Sequence, residues 1–197
     1  AKDVPEILEK TVVGNRPVER LLYRDPATKE RIARESEVPF YRYQKRLVLG
    51  MNGMIDPTSI DDYIRIGGYS ALPKALFGMT PVQVIAEVKK AGLRGRGGGG
   101  FSAGTKWETC RTAHGDRRYV IINADEGDPG AYMDRSLLEG NPHSVLEGLI
   151  IGAYAISFGV SPVEGFIYVR HEYPLAVQYF TKAVEKARGH GLLGENI

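Results

Sequence analysis

The chain has 197 residues, 43% of them hydrophobic and 25% charged, which is enough for one substantial core or a core with a small appendage. Its formal net charge is +2, so the overall balance gives no reason to expect a nucleic-acid or membrane-surface partner. A single cysteine, Cys110, excludes an intrachain disulfide and a self-contained iron–sulfur cluster, which takes about four ligands. The longest apolar run, Gly148 to Val160, is shorter than the roughly 20 residues of a membrane span, and no signal-peptide pattern precedes it. We therefore expect a cytoplasmic domain. The chain opens Ala1-Lys2-Asp3 without an initiator methionine and stops just past a predicted helix, so an internal fragment of a longer subunit is expected.

In chain order, residues 3 to 14 predict a short amphipathic helix, with Ile7, Leu8 and Val12 opposite Glu6, Glu9 and Lys10. Residues 15 to 45 are charged and weakly patterned; Arg20 to Arg24 reads as an edge strand and Asp25-Pro26 as a turn. A further extended segment is expected over Lys45 to Leu49. Helices follow over 58 to 66, ending at Gly67-Gly68, and over Tyr69 to Phe77. Thr80-Pro81 is a strong helix start, with Thr80 as N-cap, and this helix runs to Gly92. Arg118 to Asn123 has the composition of a buried parallel strand. A helix from Asn141-Pro142 to about Phe158, a strand over Gly165 to Val169 and a helix over Pro174 to Arg188 complete the pattern. Helix, strand, helix, strand and helix in alternation imply an α/β layered fold. The expected organisation is a linker or docking arm over 1–50, a helical segment over 51–91 and an α/β domain from 92.

Two stretches carry chemistry. The first runs Gly92-Leu93-Arg94-Gly95-Arg96-Gly97-Gly98-Gly99-Gly100-Phe101, then Ser102 to Trp107. Glycines let a backbone turn through positive φ and approach a ligand closely, and successive N–H groups in such a loop form an anion-binding concavity. Arg94, Arg96 and Lys106 add positive charge suited to phosphate. Phe101 and Trp107 add surface on which a flat ring can stack. The loop follows a predicted helix, so the Rossmann fingerprint does not fit, and Lys106 lacks the flanking residues of a P-loop. A plain glycine linker and an RNA-binding Arg-Gly-Gly tail are the alternatives. The motif occurs once, between a capped helix and a buried strand, which disfavours both.

The second stretch, Asn123-Ala124-Asp125-Glu126-Gly127-Asp128-Pro129-Gly130, lies at the carboxyl end of the predicted strand, where ligands of open α/β sheets sit. Its carboxylates accept hydrogen bonds from ribose hydroxyls or carboxamides. Their crowding needs an offsetting charge, for which Arg94, Arg96, Lys106 or a cation are the candidates. The same residues also suit a solvated acidic turn. Further along, Asp134 and Arg135 read as helix-start and surface charges. His143 reads as a residue near a helix N-terminus, and His114, His171 and His190 are isolated, so no metal site is expected. Cys110 reads as structural.

Taken together, Gly-Leu-Arg-Gly-Arg-Gly-Gly-x-Gly-Phe, Lys106-Trp107, Asn-Ala-Asp-Glu-Gly-x-Pro-Gly, Asp134-Arg135 and Asn141-Pro142-His143 closely resemble the flavoprotein subunit of the complex I NADH dehydrogenase family. Ile55-Asp56-Pro57, Gly67-Gly68-Tyr69 and Asp3 to Ile7 further resemble the NADH-linked subunit of soluble, often electron-bifurcating, iron hydrogenases and of NAD-linked formate dehydrogenases. The resemblance implies a partial Rossmann-like FMN-binding domain in which FMN and NAD(H) stack in one cavity. Carried over, Gly95, Arg96, Gly97, Lys106, Asn123, Asp125 and Glu126 fall on the FMN side, and Gly98, Phe101 and Asp128 on the NAD(H) side. Stacked cofactors share walls, so which one the glycine loop serves stays open. The family often has Ala at the place of Gly99 and Glu at the place of Asp128; the latter retracts a carboxylate by one methylene, leaving room for a water.

The implied reaction is hydride exchange between nicotinamide and flavin, with electrons passed on to iron–sulfur clusters held by flanking regions and partner subunits. The cofactors supply the chemistry, so no catalytic residue is expected. The implied partners are a small cluster-binding subunit and a hydrogenase or formate dehydrogenase catalytic subunit. A complex I-type quinone reductase subunit, a membrane-associated ferredoxin–NAD oxidoreductase subunit and a cofactor-free structural subunit are the competing readings.

Overall fold

The computed structural model describes residues 2–96, 99–128, 130–159 and 163–194, in two units, Ala1–Leu47 and Val48–Ile197. In the first unit, α1 (Val4–Ile7) starts with Pro5 in its first turn and widens into a π-helical stretch, Leu8–Val13. None of its residues is buried. Arg20 holds it through Asp3 (2.6 Å) and Glu6 (2.5 Å). Strands β1 (Tyr23–Arg24) and β2 (Arg31–Ile32) pair antiparallel. Asp25 sits between them, its Oδ1 accepting the N–H groups of Ala27 (2.7 Å) and Thr28 (3.1 Å). A short helix, α2 (Pro39–Arg42), follows. The extended segment expected at Lys45 to Leu49 is instead irregular and turn-like, because among the described residues no strand lies beside it to share a ladder.

The second unit begins with α3 (Ile60–Arg65), capped by Ser59, whose Oγ accepts the Asp62 N–H at 3.2 Å. The helix starts later than the sequence pattern implies. Asp56 Oδ1 takes both the N–H and the hydroxyl of Thr58, each at 2.8 Å, and that local turn competes with helix. After Gly67-Gly68-Tyr69 come α4 (Ala71–Gly78) and α5 (Pro81–Lys90). The start of α5 is a full capping box: Gln83 N–H donates to Thr80 Oγ1 (3.3 Å) and Thr80 N–H to Gln83 Oε1 (2.8 Å).

The sequence pattern does not mark α6 (Ala103–Thr112), capped by Ser102, as a helix, and it signals α7 (Met133–Gly140) only through Asp134 and Arg135, which fall in its first turn as expected. Then come α8 (Pro142–Ile156) and α9 (Pro174–Gly189), with β3 (Arg118–Ala124) and β4 (Val163–Val169) paired in parallel from Arg118↔Val163 to Ala124↔Val169. Helices layered on a parallel sheet make this unit α/β. The 51–91 helices pack on it: Tyr63, Tyr69 and Leu72 share a core with Leu138, Leu146, Ile150 and Phe180. A second cluster joins Val84 and Ile85 to Ala155 and Trp107.

The α5–α6 contact depends on Gly104. A Cβ there would lie 2.6 Å from Lys89 Cγ and 2.9 Å from the Lys89 backbone nitrogen. Overpacking of this kind costs roughly 1–3 kcal/mol, so Gly104→Ala is expected to reduce the unfolding free energy by that amount, read from urea titration. An unchanged midpoint would mean that the two helices separate freely.

Candidate functional site

The glycine loop leaves α5 at Gly92, whose φ is +64°, and returns at Ser102 to start α6. Its two sides are bridged at Arg94 and Ser102. Gly95 N–H donates to Phe101 O and Ala103 N–H to Leu93 O, both at 2.9 Å. The loop is therefore a pinned excursion that ends in a helix N-terminus. Arg94 donates from Nε to Gly100 O, and Arg96 from Nη1 to Arg94 O at 2.9 Å. The Lys106 ammonium lies 5.8 Å from the centre of the Phe101 ring. Gly97, Gly98 and Pro129, which belong to the two motifs, fall outside the described residues.

Between this loop and β3 lies a cavity of about 250 Å³ whose lining includes Gly95, Phe101, Lys106, Trp107, Tyr119 and Ile121. Cys110 also lines it, so the thiol read as structural stands at the site. Beside the cavity one face of the sheet is open. Tyr119 and Ile121 of β3 and Phe166 and Tyr168 of β4 are all exposed, while Val120 on the opposite face lies toward Gly152 of α8.

The acidic turn lies further along the same strand. Asn123 Oδ1 accepts the Asp125 N–H at 3.1 Å. Asp125 stands about 13 Å along the chain from Ile121, at roughly 3.3 Å per extended residue. Asn123, Asp125, Glu126 and Asp128 do not line the cavity beside the glycine loop. Glu126 adopts φ +48° and turns its carboxylate onto the start of α7, accepting the N–H groups of Asp134 (2.8 Å) and Arg135 (2.9 Å). Burial, and next the Glu126 charge, hold the Asp134 carboxyl above its ordinary pKa.

The charges expected to offset this acidic cluster are engaged elsewhere: Arg94 and Arg96 on loop carbonyls, Lys106 over Phe101. The cation beside Asp125 among the described residues is Arg170, at the carboxyl end of β4, while Arg135 lies near Glu126. A Cβ on Gly127 would lie 2.9 Å from both Arg170 Nη1 and Asp125 Oδ2. Sequence reasoning passes over Arg170 because the pair spans 45 residues and shares no local motif. The adjacency of two parallel strand ends is the available signal.

The fold and site together define a layered α/β domain with a glycine loop on one side of a parallel strand and an acidic turn at that strand's carboxyl end. Residues 88–196 match the family described as the Nuo51 FMN-binding domain, and the chain belongs to that family. It is 51% identical over 154 residues to the NADP-reducing hydrogenase subunit HndC of Solidesulfovibrio fructosivorans, covering 78% of this chain and 30% of that protein. It is 47% identical over 139 residues to the F subunit of the NADH-quinone oxidoreductase of Aquifex aeolicus (strain VF5), covering 71% of this chain and 31% of that one. The chain thus spans about 30% of the length of these curated relatives. A crystal structure of an NAD+-reducing [NiFe]-hydrogenase in the air-oxidized state superposes with a TM-score of 0.57 at 26% identity, over 97% of this chain and 29% of that one.

Proposed function

We propose that this chain forms part of an oxidoreductase subunit that holds FMN beside NAD(H) and relays electrons toward iron–sulfur clusters, in the cytoplasm, within a hydrogenase- or formate dehydrogenase-type complex. The observation that carries this reading is the cavity itself. It puts glycine backbone, an ammonium and aromatic rings around one space, next to the strand that ends in the acidic turn. That set of groups fits a phosphorylated flat-ring cofactor: the Lys106 ammonium for phosphate, aromatic surface for the ring system. Among the described residues no helix is long and apolar enough to cross a membrane.

Gly95, Arg96 and Lys106, with Gly97, are assigned to the flavin side, as are Asn123 and Asp125; Glu126, expected on the same side, has its carboxylate bound to the start of α7. Phe101 and Asp128, with Gly98, are assigned to the nicotinamide side. Bound FMN supplies the hydride acceptor. The protein's part is to seat the two rings against each other, keep water from the transfer face and set the local charge. The iron–sulfur clusters, and partner subunits that carry them, belong to the wider assembly.

The deciding experiment is an anaerobic visible spectrum of the intact purified protein with and without NADH, repeated with NADPH. Flavin absorbance that bleaches is expected. An assembled protein without flavin sinks the reading and leaves a structural subunit. Removing the ammonium with Lys106→Met is expected to weaken flavin retention about tenfold or more, since a hydrogen bond to a charged group contributes roughly 1.5–3 kcal/mol. Flavin released on dialysis, read by fluorescence, measures it; retention equal to wild type would place Lys106 away from the cofactor.

A further inference from the structure

The acidic turn is held by its own Glu126 and by groups outside the sequence motifs, Arg170, Glu172 and Tyr173. From below, Glu126 is bound through both carboxylate oxygens to the first N–H groups of α7. From the side, Tyr173 donates its hydroxyl to Glu126 O at 3.3 Å, with the Arg135 guanidinium 5.6 Å from the Tyr173 ring centre. From above, Arg170 faces Asp125 across Gly127, and its own orientation is set by Glu172, to which Nη2 donates at 2.7 Å. The hydrogen bond and charge of Glu172, and more weakly the charge of Asp125, raise the guanidinium pKa further above its already high ordinary value. Gly127 is the residue that makes the arrangement possible, because any side chain there would enter the space between Arg170 and Asp125.

Resting on the flavin–nicotinamide reading above, we infer that Arg170 is a positioning residue of the site, aiming the Asp125 carboxylate by charge from the neighbouring strand end while Glu126 serves as the turn's anchor on α7 and not as a ligand contact. The physical reason is the crowding of Asp125, Glu126 and Asp128. With the loop cations engaged elsewhere, Arg170 is the cation placed to keep Asp125 from turning away from its neighbours. Its loss leaves the carboxylates present and the turn misaimed.

The test is a double-mutant cycle in the intact purified protein, stripped of flavin and titrated with FMN, with binding read by flavin fluorescence. Arg170→Gln is expected to raise the FMN Kd about tenfold in the wild-type background and less than about twofold in an Asp125→Asn background, since residues acting through one another are non-additive. Arg170→Lys is expected to recover part of the loss. Equal effects in both backgrounds, or an FMN Kd unmoved by Arg170→Gln, overturn the inference while leaving the flavin reading intact. A wild-type protein without NADH-bleachable flavin overturns both. Should Arg170→Gln fail to accumulate, Arg170→Lys and Tyr173→Phe run through the same cycle, and additive effects there overturn the inference equally.

Discussion

Replacing Glu147 with leucine is expected to destabilise the protein by roughly 3–5 kcal/mol, because it strands three hydrogen-bond donors in the interior at about 1–3 kcal/mol each. Glu147 lies in the second turn of α8 and is buried. Its Oε2 accepts the Tyr63 hydroxyl at 2.6 Å and the Tyr69 N–H at 2.9 Å, and its Oε1 the Ala71 N–H at 3.2 Å. Those donors belong to α3, to the turn before α4 and to the first residue of α4. Tyr69 stands at φ +58°, a conformation that costs a non-glycine residue energy and is held here by this contact and by its buried ring. Leucine fills the volume but leaves three donors in an apolar interior without an acceptor, and each such group costs about 1–3 kcal/mol. Urea unfolding followed by far-UV circular dichroism measures it, with Glu147→Gln expected to lose less because one acceptor oxygen survives. A loss below about 1 kcal/mol for the leucine variant would show that water reaches the cluster. The residues at stake sit around 60–70 and at 147, so the flavin content of the folded fraction should stay at the wild-type level.

Acid should destabilise the protein in a specific window, from pH 6.5 down to about 4, through His143. This side chain is 1% exposed, stacks on Tyr63 at 5.7 Å and hydrogen-bonds the Tyr69 hydroxyl through Nδ1 at 2.8 Å. Its Nε2 is buried with no partner among the described residues. Burial, and secondarily the charge of His190, lower its pKa to about 4 from an ordinary 6.5. The unfolded imidazole therefore takes a proton first as the pH falls. The stabilising contribution is complete above pH 6.5 and is lost progressively toward pH 4. At pH 5 the loss is about 2 kcal/mol by linkage, and the full loss is roughly 3 kcal/mol. His143→Gln, which keeps an acceptor for Tyr69, is expected to flatten this slope. Urea midpoints at about pH 7.5 and 5, on either side of the ordinary imidazole pKa, decide it for both proteins; parallel slopes would assign the acid sensitivity to other groups.

Local features are readable wherever a few neighbouring residues decide the outcome. Thr80, Pro81 and Gln83 spell out the start of α5 because the capping box closes within four residues. The strands at Arg118 and Val163 and the helices at Pro142 and Pro174 follow from short apolar runs and their flanking Pro and Asn. The segment after the glycine loop is the local failure. Ser102 followed by Thr105 is a cap signal, but α6 has almost no apolar periodicity, so its helix is supported by packing of Trp107 against the cluster of Ala75, Val84, Ile85 and Ala155 more than by its own pattern. The extended run at Lys45 fails for the opposite reason: strand-like residues without a partner strand leave their backbone to water.

By itself the sequence determined the family and the inventory of the site: a glycine loop that carries Arg94 and Arg96 with Lys106 just beyond it, and an acidic turn at the end of a parallel strand. Those are matters of residue type and spacing along one stretch of chain. The strand expected to be buried is exposed on one face at Tyr119 and Ile121. Only the tertiary structure decided which charges meet. Glu126 spends its carboxylate on α7, Arg170 stands over Asp125 from a different strand, and Glu147, which in sequence is one more helix-surface acid, becomes the buried acceptor that ties α3 and α4 to α8. The reason is range. Turn and cap geometry depends on residues within about four positions, whereas the balance of a buried or crowded charge depends on atoms within a few ångströms that the chain brings from roughly 40 to 80 residues away.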